Sequence, residues 1–218
     1  QEYSKLIEEG HSQRSACLIL GLNRSTIQRY IKSVLEDEVN DVVETLSNKP
    51  SILFYDIETT LAKSYHFGQW KQNIGVKQQV QEGHLLSHAW AWNDGDVIGS
   101  ILTREEVLDH DPERSVLEAW ALFDNADIIV AHYGKKFDIP KINGYFLKYG
   151  LQPPSPFKVV DTKEISSRKF LLPFNSLEYL AKALGVQQKI DNSGIQLWID
   201  CDNGKQEALD EMLAYNVG

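Results

Sequence analysis

The chain contains 218 residues, of which 42% are hydrophobic, and its formal net charge is −9 at pH 7. This length suits one domain with a substantial core and a small appendage, and the composition is that of a folded protein. No apolar run approaches the roughly twenty residues of a membrane span, so we expect a soluble protein without a membrane partner.

The negative charge argues at first sight against a nucleic-acid partner, because lysine and arginine normally carry phosphate binding. Acidic residues that hold divalent cations, however, present positive charge to a phosphate once the metal is bound. The two cysteines, Cys17 and Cys201, have no metal-ligand or redox spacing, and no positively charged apolar leader precedes them. A reducing, cytoplasmic location is therefore the default expectation.

Charge also divides the chain into segments. Residues 10–35 contain no Asp or Glu, whereas residues 36–44 contain five acidic residues. We predict a small helical module over 1–35, an acidic helical connector over 36–50 and the main domain over 51–218.

The first module fits a helix-turn-helix pattern. Cys17 is the small residue of the first helix, Gly21 lies at the turn, and Ile27 belongs to the core side of the second helix. That second helix would present four residues to the major groove of duplex DNA: Arg24, Ser25, Thr26 and Arg29. A small helical bundle that binds protein, or packs on the main domain, is the alternative.

The main domain predicts alternating strands and helices. Apolar segments rich in β-forming residues predict strands at 51–57, 85–92, 97–102, 128–131 and 157–160, and Asp94-Gly95 favours a hairpin between the second and third. Helical spacing predicts helices at 116–123, 139–149 and 207–215, and Asn175 to Glu178 resembles a capping box opening another helix that ends near Gly185. This order implies an α/β fold with a mixed central sheet flanked by helices.

Asp56 and Glu58 lie two residues apart at the end of the first predicted strand. The period-two geometry of a strand points both side chains to the same face. Two carboxylates on one face repel each other unless a cation lies between them, and oxygen ligands suit Mg²⁺ or Mn²⁺. A strand end that runs into a solvated turn would explain the same pair without a metal.

Asp138 is the next candidate, because it follows a buried strand and a turn that contains Gly134. The first turn of a helix in that position delivers its side chains to the carboxyl edge of the sheet, where α/β proteins usually build their sites. We therefore expect Asp138 to face the same edge as Asp56. The alternative is an acidic residue favoured only by the helix macrodipole.

Three segments in order resemble the motifs of one family. Residues 56–60, Asp-Ile-Glu-Thr-Thr, resemble the first motif of the DEDD (DEDDy-like) superfamily of 3′→5′ exonucleases, which have a ribonuclease-H-like fold. Residues 132–138 resemble the second motif, with Asp138 following a Phe as the third acid. Residues 175–181 and 214–217 resemble the approach to the third motif, in which a tyrosine, here Tyr215, precedes the fourth acid by four residues.

The resemblance implies hydrolysis of phosphodiester bonds with two Mg²⁺ or Mn²⁺ ions about 3.5 to 4 Å apart. Asp56 would bridge both ions, Glu58 would hold the ion that carries the attacking water, and Asp138 would support the second ion. Tyr215 would orient the water. The predicted contacts to the DNA strand at this site are Thr59, Lys135, Lys136 and Phe137.

Two positions depart from the family pattern. Tyr133 stands where the second motif usually offers Asn, and the expected fourth acid falls one residue beyond Gly218. The polypeptide either continues, or was cut short, or has a site with three acids. Asp161 also follows an apolar strand, but the family pattern does not use it as a ligand, so we interpret it as structural.

A loop with the aromatic residues Tyr65, Phe67 and Trp70 and the intervening His66 follows the first strand. We interpret it as core packing under a long loop, with base stacking or a lid over the site as the alternative.

Together these features predict a DNA-directed 3′→5′ exonuclease that a helix-turn-helix positions on DNA. A transposase or integrase with a ribonuclease-H-like fold is one alternative, although such enzymes usually space their first two acids far apart. The other is a DNA-binding regulator whose nuclease fold is catalytically silent.

Overall fold

The computed structural model describes residues 2–11, 13–21, 49–186, 190 and 192–218. Two short helices, α1 (Glu2–Glu8) and α2 (Gln13–Ile19), come first. The predicted DNA-contacting residues Arg24, Ser25, Thr26 and Arg29, and the connector as far as residue 48, lie outside the described residues. The helix-turn-helix and the domain boundaries therefore stay predictions.

A five-stranded mixed sheet forms the centre of the main domain, with the order β5-β4-β1-β6-β7. Its strands are β1 (Ile52–Thr59), β4 (Leu85–Trp92), β5 (Ile98–Ile101), β6 (Ile128–Ala131) and β7 (Lys158–Asp161). Strand β1 pairs antiparallel with β4 and parallel with β6. All five strands were predicted, and the mixed α/β sheet flanked by helices is confirmed.

Within the described residues, seven further helices follow in chain order. They are α3 (Arg104–Asp109), α4 (Glu113–Asn125), α5 (Asp138–Lys148), α6 (Thr162–Lys169), α7 (Leu177–Leu184), α8 (Ile195–Asp202) and α9 (Gln206–Val217). The sequence pattern predicted α4, α5, α7 and α9 and missed α3, α6 and α8, which have six to eight residues and too few turns for a clear period. No helix in the described part of the chain is long and apolar enough to cross a membrane.

The predicted capping box at the start of α7 is wrong by one residue. Ser176, rather than Asn175, is the N-cap, and its hydroxyl accepts a hydrogen bond from the backbone N–H of Tyr179 at 3.3 Å. The side chain of Asn175 instead accepts a hydrogen bond from the Ser166 hydroxyl on α6. Asn175, which the local sequence predicted as the cap, thus makes a tertiary contact with another helix.

Two apolar clusters lie on the sheet. On one face, alternate residues of β1 pack against α4 and α5 in a cluster that includes Leu53, Tyr55, Ile57, Phe123 and Phe146. The second cluster joins β4 to α3, α8 and α9 through Leu86, Leu102, Val107, Leu197 and Met212. Burial of these side chains holds α9 against the sheet.

Residues 61–83 leave the sheet between β1 and β4, and we call them the arm. Its stem is a two-stranded ribbon of β2 (Lys63–Ser64) and β3 (Gln79–Gln81). A 3₁₀ turn at Val76–Gln78 comes directly before β3. The prediction that its aromatic residues pack into the core is wrong, because Tyr65, Phe67 and Trp70 are 78%, 107% and 84% exposed.

Candidate active site

Asp56 and Glu58 lie near the carboxyl end of β1, on the face opposite Tyr55 and Ile57. The burial pattern of the strand shows this alternation: Leu53, Tyr55 and Ile57 are buried in the first cluster, whereas both acids are half-buried. The two carboxylates therefore share one face, as predicted from their spacing.

Asp138 begins α5 and reaches β1 from the neighbouring connection. Its side chain is only 2% exposed, and its Oδ1 accepts a hydrogen bond from the backbone N–H of Ile57 at 3.3 Å. Ile57 lies between Asp56 and Glu58, so this bond brings the third acid to the predicted edge of the sheet. The prediction that Asp138 faces the same edge as Asp56 is confirmed.

Gly134 makes this approach possible. A Cβ atom at Gly134 would lie 2.4 Å from the Cβ of Ala131, a distance that no side chain tolerates. The turn between β6 and α5 can therefore fold back on the end of the strand only with glycine at this position. The sequence signal was the glycine itself, and its steric reason appears in the fold.

The carboxyl group of Asp138 lies in an unfavourable electrostatic position for an anion. Burial raises its pKa to about 7, and the charge of Asp56 adds to that effect, with a smaller contribution from Glu58. Burial raises the pKa of Tyr55 well above its usual range, and the charges of Asp138, Asp56 and Glu118 add to that effect. Negative charge is thus concentrated at this edge of the sheet.

Asn216 on α9 contacts Asp56 directly, and the sequence motifs had assigned it no role. Its Nδ2 donates to Asp56 Oδ2 at 3.0 Å, while its Oδ1 accepts from the Ser87 hydroxyl on β4 at 2.9 Å. Asn216 is 6% exposed. A buried amide between a hydroxyl donor and a carboxylate orients Asp56, and the only sequence signal was a polar residue beside Tyr215.

Helix α9 can bring Asn216 this close because Gly99 on β5 has no side chain. A Cβ atom there would lie 2.5 Å from the Val217 side chain and 2.8 Å from that of Leu213. The helix therefore rests directly on the backbone of the edge strand.

Tyr215, the predicted catalytic tyrosine, packs its ring against the second apolar cluster. Its ring centre is 6.0 Å from that of Trp198 on α8, in an edge-to-face arrangement. Its role in orienting water stays a prediction.

Asp161 forms the N-cap of α6. Its carboxylate accepts hydrogen bonds of 3.0 to 3.2 Å from the backbone N–H groups of Tyr133, Lys135, Lys163 and Glu164. Burial alone would raise the pKa of Asp161, but these bonds outweigh it and hold the pKa below its ordinary value. This geometry agrees with the structural interpretation of Asp161, which shapes the turn that carries Asp138.

His132 connects the second and third motif segments. Its Nε2 lies 3.1 Å from the backbone oxygen of Asn175 and its Nδ1 3.0 Å from the hydroxyl of Thr162. Because a carbonyl only accepts, Nε2 carries the proton and the threonine hydroxyl donates to Nδ1. Burial lowers the pKa of His132, which keeps the ring neutral in this arrangement.

Aromatic and basic side chains surround the acids. Tyr133, in the left-handed region at φ 70°, and Phe137 are each 41% exposed, and the Lys163 ammonium lies 4.1 Å from the Tyr133 ring centre. Of the predicted DNA contacts, Lys136 is exposed, Lys135 forms a 2.6 Å ion pair with Glu164, and Thr59 is half-buried at the end of β1. Their contact with DNA stays a prediction.

Among the described residues, no three His, Cys, Asp or Glu side chains form a group that would hold a metal ion alone. The donor chemistry nevertheless suits Mg²⁺ or Mn²⁺, because such cations prefer oxygen and commonly bind through one or two carboxylates together with water and substrate phosphates. Burial is the main cause of the raised pKa of Asp138 and the charge of Asp56 adds to it, so a positive charge here would relieve repulsion between the carboxylates. Asp56, Glu58 and Asp138 are therefore the residues that could hold a cation.

A cavity of about 470 Å³ adjoins Asp56 and Asn216 on the same face of the sheet. Its walls are largely apolar and include Phe54, Trp90, Val130, Leu180, Leu184 and Val217. A larger cavity of about 570 Å³ lies away from the acids, between Gly10, His11 and α4, and contains none of the three carboxylates.

The mixed sheet and the carboxylates at the end of its central strand define a ribonuclease-H-like α/β protein. The chain belongs to the RNase_H superfamily, whose family model matches residues 53–217. This membership agrees with the predicted fold and with a nuclease, the class that the motif resemblance implied. The DEDD motifs as such stay a prediction.

Among solved structures, the chain is similar to the family B DNA polymerase from the hyperthermophilic archaeon Pyrobaculum calidifontis, with 14% sequence identity and a TM-score of 0.48. The match covers 78% of this chain but 23% of the polymerase chain. No curated protein matches the sequence.

Proposed function

We propose that this protein is a metal-dependent 3′→5′ exonuclease that hydrolyses phosphodiester bonds of DNA with two Mg²⁺ or Mn²⁺ ions. The observation that carries the proposal is the convergence of Asp56 and Glu58 from β1 with buried Asp138 from α5, joined by the bond to Ile57. A fold gains nothing in stability from collecting carboxylates at one edge, so this arrangement favours a binding site for cations.

Each acid has a distinct part in the proposal. Asp56, held by Asn216, would bridge the two cations; Glu58 would hold one of them and Asp138 the other. When bound, the ions would lower the pKa of a water molecule and stabilise charge on the attacking and leaving oxygens. Tyr215 would orient the water, and the exposed ring of Phe137 would contact the terminal nucleotide.

The proposal also includes a partner surface at the N-terminus. A helix-turn-helix over residues 1–35, with Arg24 and Arg29 facing duplex DNA, would position the nuclease on its substrate. The acid-free composition of residues 10–35 supports this part, since clustered basic residues without acids favour contact with phosphates.

The experiment follows hydrolysis of single- and double-stranded DNA labelled at either end, with Mn²⁺ or Mg²⁺. Digestion from the 3′ end releases the 3′ label at once as a mononucleotide and shortens 5′-labelled strands step by step. Asp56→Ala and Glu58→Ala should each lower the rate by more than about 100-fold, beyond the 10- to 100-fold loss typical of residues that only orient a ligand.

Asp96→Ala is the matched control, because Asp96 is an exposed acid in the hairpin between β4 and β5. It should digest DNA at the rate of the unmodified protein. Release of the 5′ label first would contradict the direction, strand joining would identify an integrase-like activity, and DNA binding without cleavage in either metal would show a silent nuclease fold.

A further inference from the structure

The arm carries three large rings that the core does not cover. Tyr65, Phe67 and Trp70 are all more than three-quarters exposed, and they lie within six residues of one another. Isolated apolar side chains on a surface are ordinary, but three aromatic rings on one short excursion form a group. His66, Gly68 and Gln69 separate the rings along the chain, so the surface is not a continuous apolar patch.

Side chains from three different parts of the main domain hold the base of the arm in place. The Lys63 ammonium lies 2.5 Å from Asp202 on α8, Gln81 donates to the His110 ring at 3.1 Å, and Glu82 pairs with Lys148 on α5.

At the junction with the sheet, Thr60 and His84 exchange backbone and side-chain hydrogen bonds of 2.8 to 3.2 Å. The rings therefore extend from a base with a defined position.

The arm begins where the carboxylates end. Thr60, its first anchor, follows Glu58 by two residues, and Tyr65 is five residues further along the chain. Strand β1 ends at Thr59, six residues before Tyr65, so at about 3.3 Å per residue in an extended chain the Cα of Tyr65 lies at most about 20 Å from the end of β1. A DNA strand whose end lies at Asp56 and Glu58 would reach the arm within a few nucleotides.

The charge of the arm is opposite to that of the protein. Residues 61–83 contain the lysines Lys63, Lys71 and Lys77 and one acid, Glu82, which gives a formal charge of +2 within a chain of net charge −9. Lys71 and Lys77 are both exposed. Aromatic rings interleaved with basic residues are the features by which proteins bind single strands, through base stacking and attraction to phosphates.

We propose that the arm is a binding surface for single-stranded DNA, on which Trp70, Phe67 and Tyr65 stack bases of the strand that enters the nuclease site. The inference rests on the proposed function for its choice of DNA and for the location of the strand end. Binding by the arm itself needs neither metal nor hydrolysis, so it can be measured separately.

The first measurement is the fluorescence anisotropy of a labelled oligothymidylate of about 12 nucleotides, titrated with protein in EDTA. Trp70→Ala and Phe67→Ala should each weaken binding about 5- to 100-fold, because each removes one stacking platform. Trp70→Phe should restore most of the affinity. Leu147→Ala is the matched control, since this 81% exposed side chain lies on α5 near its far end from Asp138.

A salt titration tests the basic residues of the arm. Lys71→Gln should reduce the slope of log affinity against log salt concentration by the amount that one phosphate contact contributes. Trp70→Ala should leave that slope unchanged. Unchanged urea midpoints for all of these variants would show that the fold is intact, as expected for exposed side chains.

Hydrolysis of bis(p-nitrophenyl) phosphate with Mn²⁺ separates this inference from the proposed function, because so small an ester engages the carboxylates without the arm. The arm variants should hydrolyse it normally, and Asp56→Ala should not. If no ester or DNA is cleaved but arm variants lose strand binding, the proposed function fails and the arm inference stands. Equal strand binding by Trp70→Ala, Phe67→Ala and the unmodified protein would overturn the arm inference even if DNA is digested.

Three further outcomes would also overturn it. These are a greater loss of duplex binding than of single-strand binding in Trp70→Ala, tighter binding of oligouridylate than of oligothymidylate, and self-association in sedimentation that Trp70→Ala abolishes. The last would assign the rings to a contact between two copies of the chain.

Discussion

Strand β1 sends alternate side chains into two different environments. On one face Leu53, Tyr55 and Ile57 join a closely packed aromatic and aliphatic cluster, in which the Tyr55 and Phe123 ring centres are 5.0 Å apart. On the other face, which also carries Glu58, Asp56 contacts the buried amide of Asn216 on α9 and lines a cavity. Residues one position apart thus serve opposite purposes.

The difference shows how one strand can combine rigidity with an electrostatically strained site. Apolar burial on the first face stabilises the fold and fixes the position of the backbone. That fixed backbone then holds carboxylates close together on the second face, although their repulsion and the burial of Asp138 oppose it. The first face should therefore control stability, and the second should control cation binding.

The largest effect should come from the packed face. Phe146→Ala removes a 3% exposed ring that contacts Phe123 and should lower the free energy of unfolding by about 3 to 5 kcal/mol. Urea denaturation measures this loss. The affinity of the folded protein for Mn²⁺ should change less than about threefold, because the substituted ring and the carboxylates lie on different faces of the strand. Phe146→Leu is the milder variant if the alanine protein does not fold. A large loss of Mn²⁺ affinity in either variant would contradict the division of roles between the two faces.

The next effect concerns the pH dependence of stability without metal. Because the native pKa of Asp138 is raised to about 7, the unfolded chain releases this proton first, and stability falls as pH rises from about 4 to 7. Asp138→Asn removes that titration and can still accept the Ile57 hydrogen bond. Relative to the unmodified protein it should gain stability across this window, by at most about 4 kcal/mol above pH 7.

Urea unfolding in EDTA at pH 4, 5.5 and 8 measures this difference between the two proteins. Parallel stability profiles would show that Asp138 ionises normally in the fold. The second face would then lack the electrostatic strain that distinguishes it from the first.

The smallest of these effects concerns Asn216. Asn216→Ala removes the amide that holds Asp56 and should weaken Mn²⁺ binding about 10- to 100-fold, the usual cost of losing a group that orients a metal ligand. Isothermal titration calorimetry with Mn²⁺ measures it. Ser87→Ala, one hydrogen bond further away, should have a smaller effect in the same direction. Equal affinity in all three proteins would mean that α9 only packs on the sheet.

Much of the fold was predictable because its signals are local. Apolar runs of four to eight residues located all five strands of the sheet, and helical spacing located the longer helices α4, α5 and α9. Helices α3, α6 and α8 were missed because one or two turns carry too little periodic pattern, whereas the equally short α7 was predicted from its capping residues. The cap of α7 was misplaced by one residue, since Asn175 is engaged by Ser166 on another helix.

The prediction for the aromatic loop was wrong for a different reason. Hydrophobic residues in a long loop usually become buried, and the sequence alone does not show whether an element lies above them. In the fold, Phe67 and Trp70 lie in sequence between the two strands of the ribbon at the base of the arm, and their rings are exposed. The proposed stacking of DNA bases on these rings requires them to be exposed, contrary to the usual preference of aromatic side chains for burial.

From sequence alone, the spacing of Asp56 and Glu58 determined that both share a face of β1, because side chains alternate along any strand. The buried strand and glycine-containing turn before Asp138 placed it at the matching edge. Only the tertiary structure showed that Asn216 holds Asp56 and that Asp138 is buried enough to raise its pKa to about 7. Both depend on packing between residues about 80 to 160 positions apart, and long-range packing leaves no periodic trace in the local sequence.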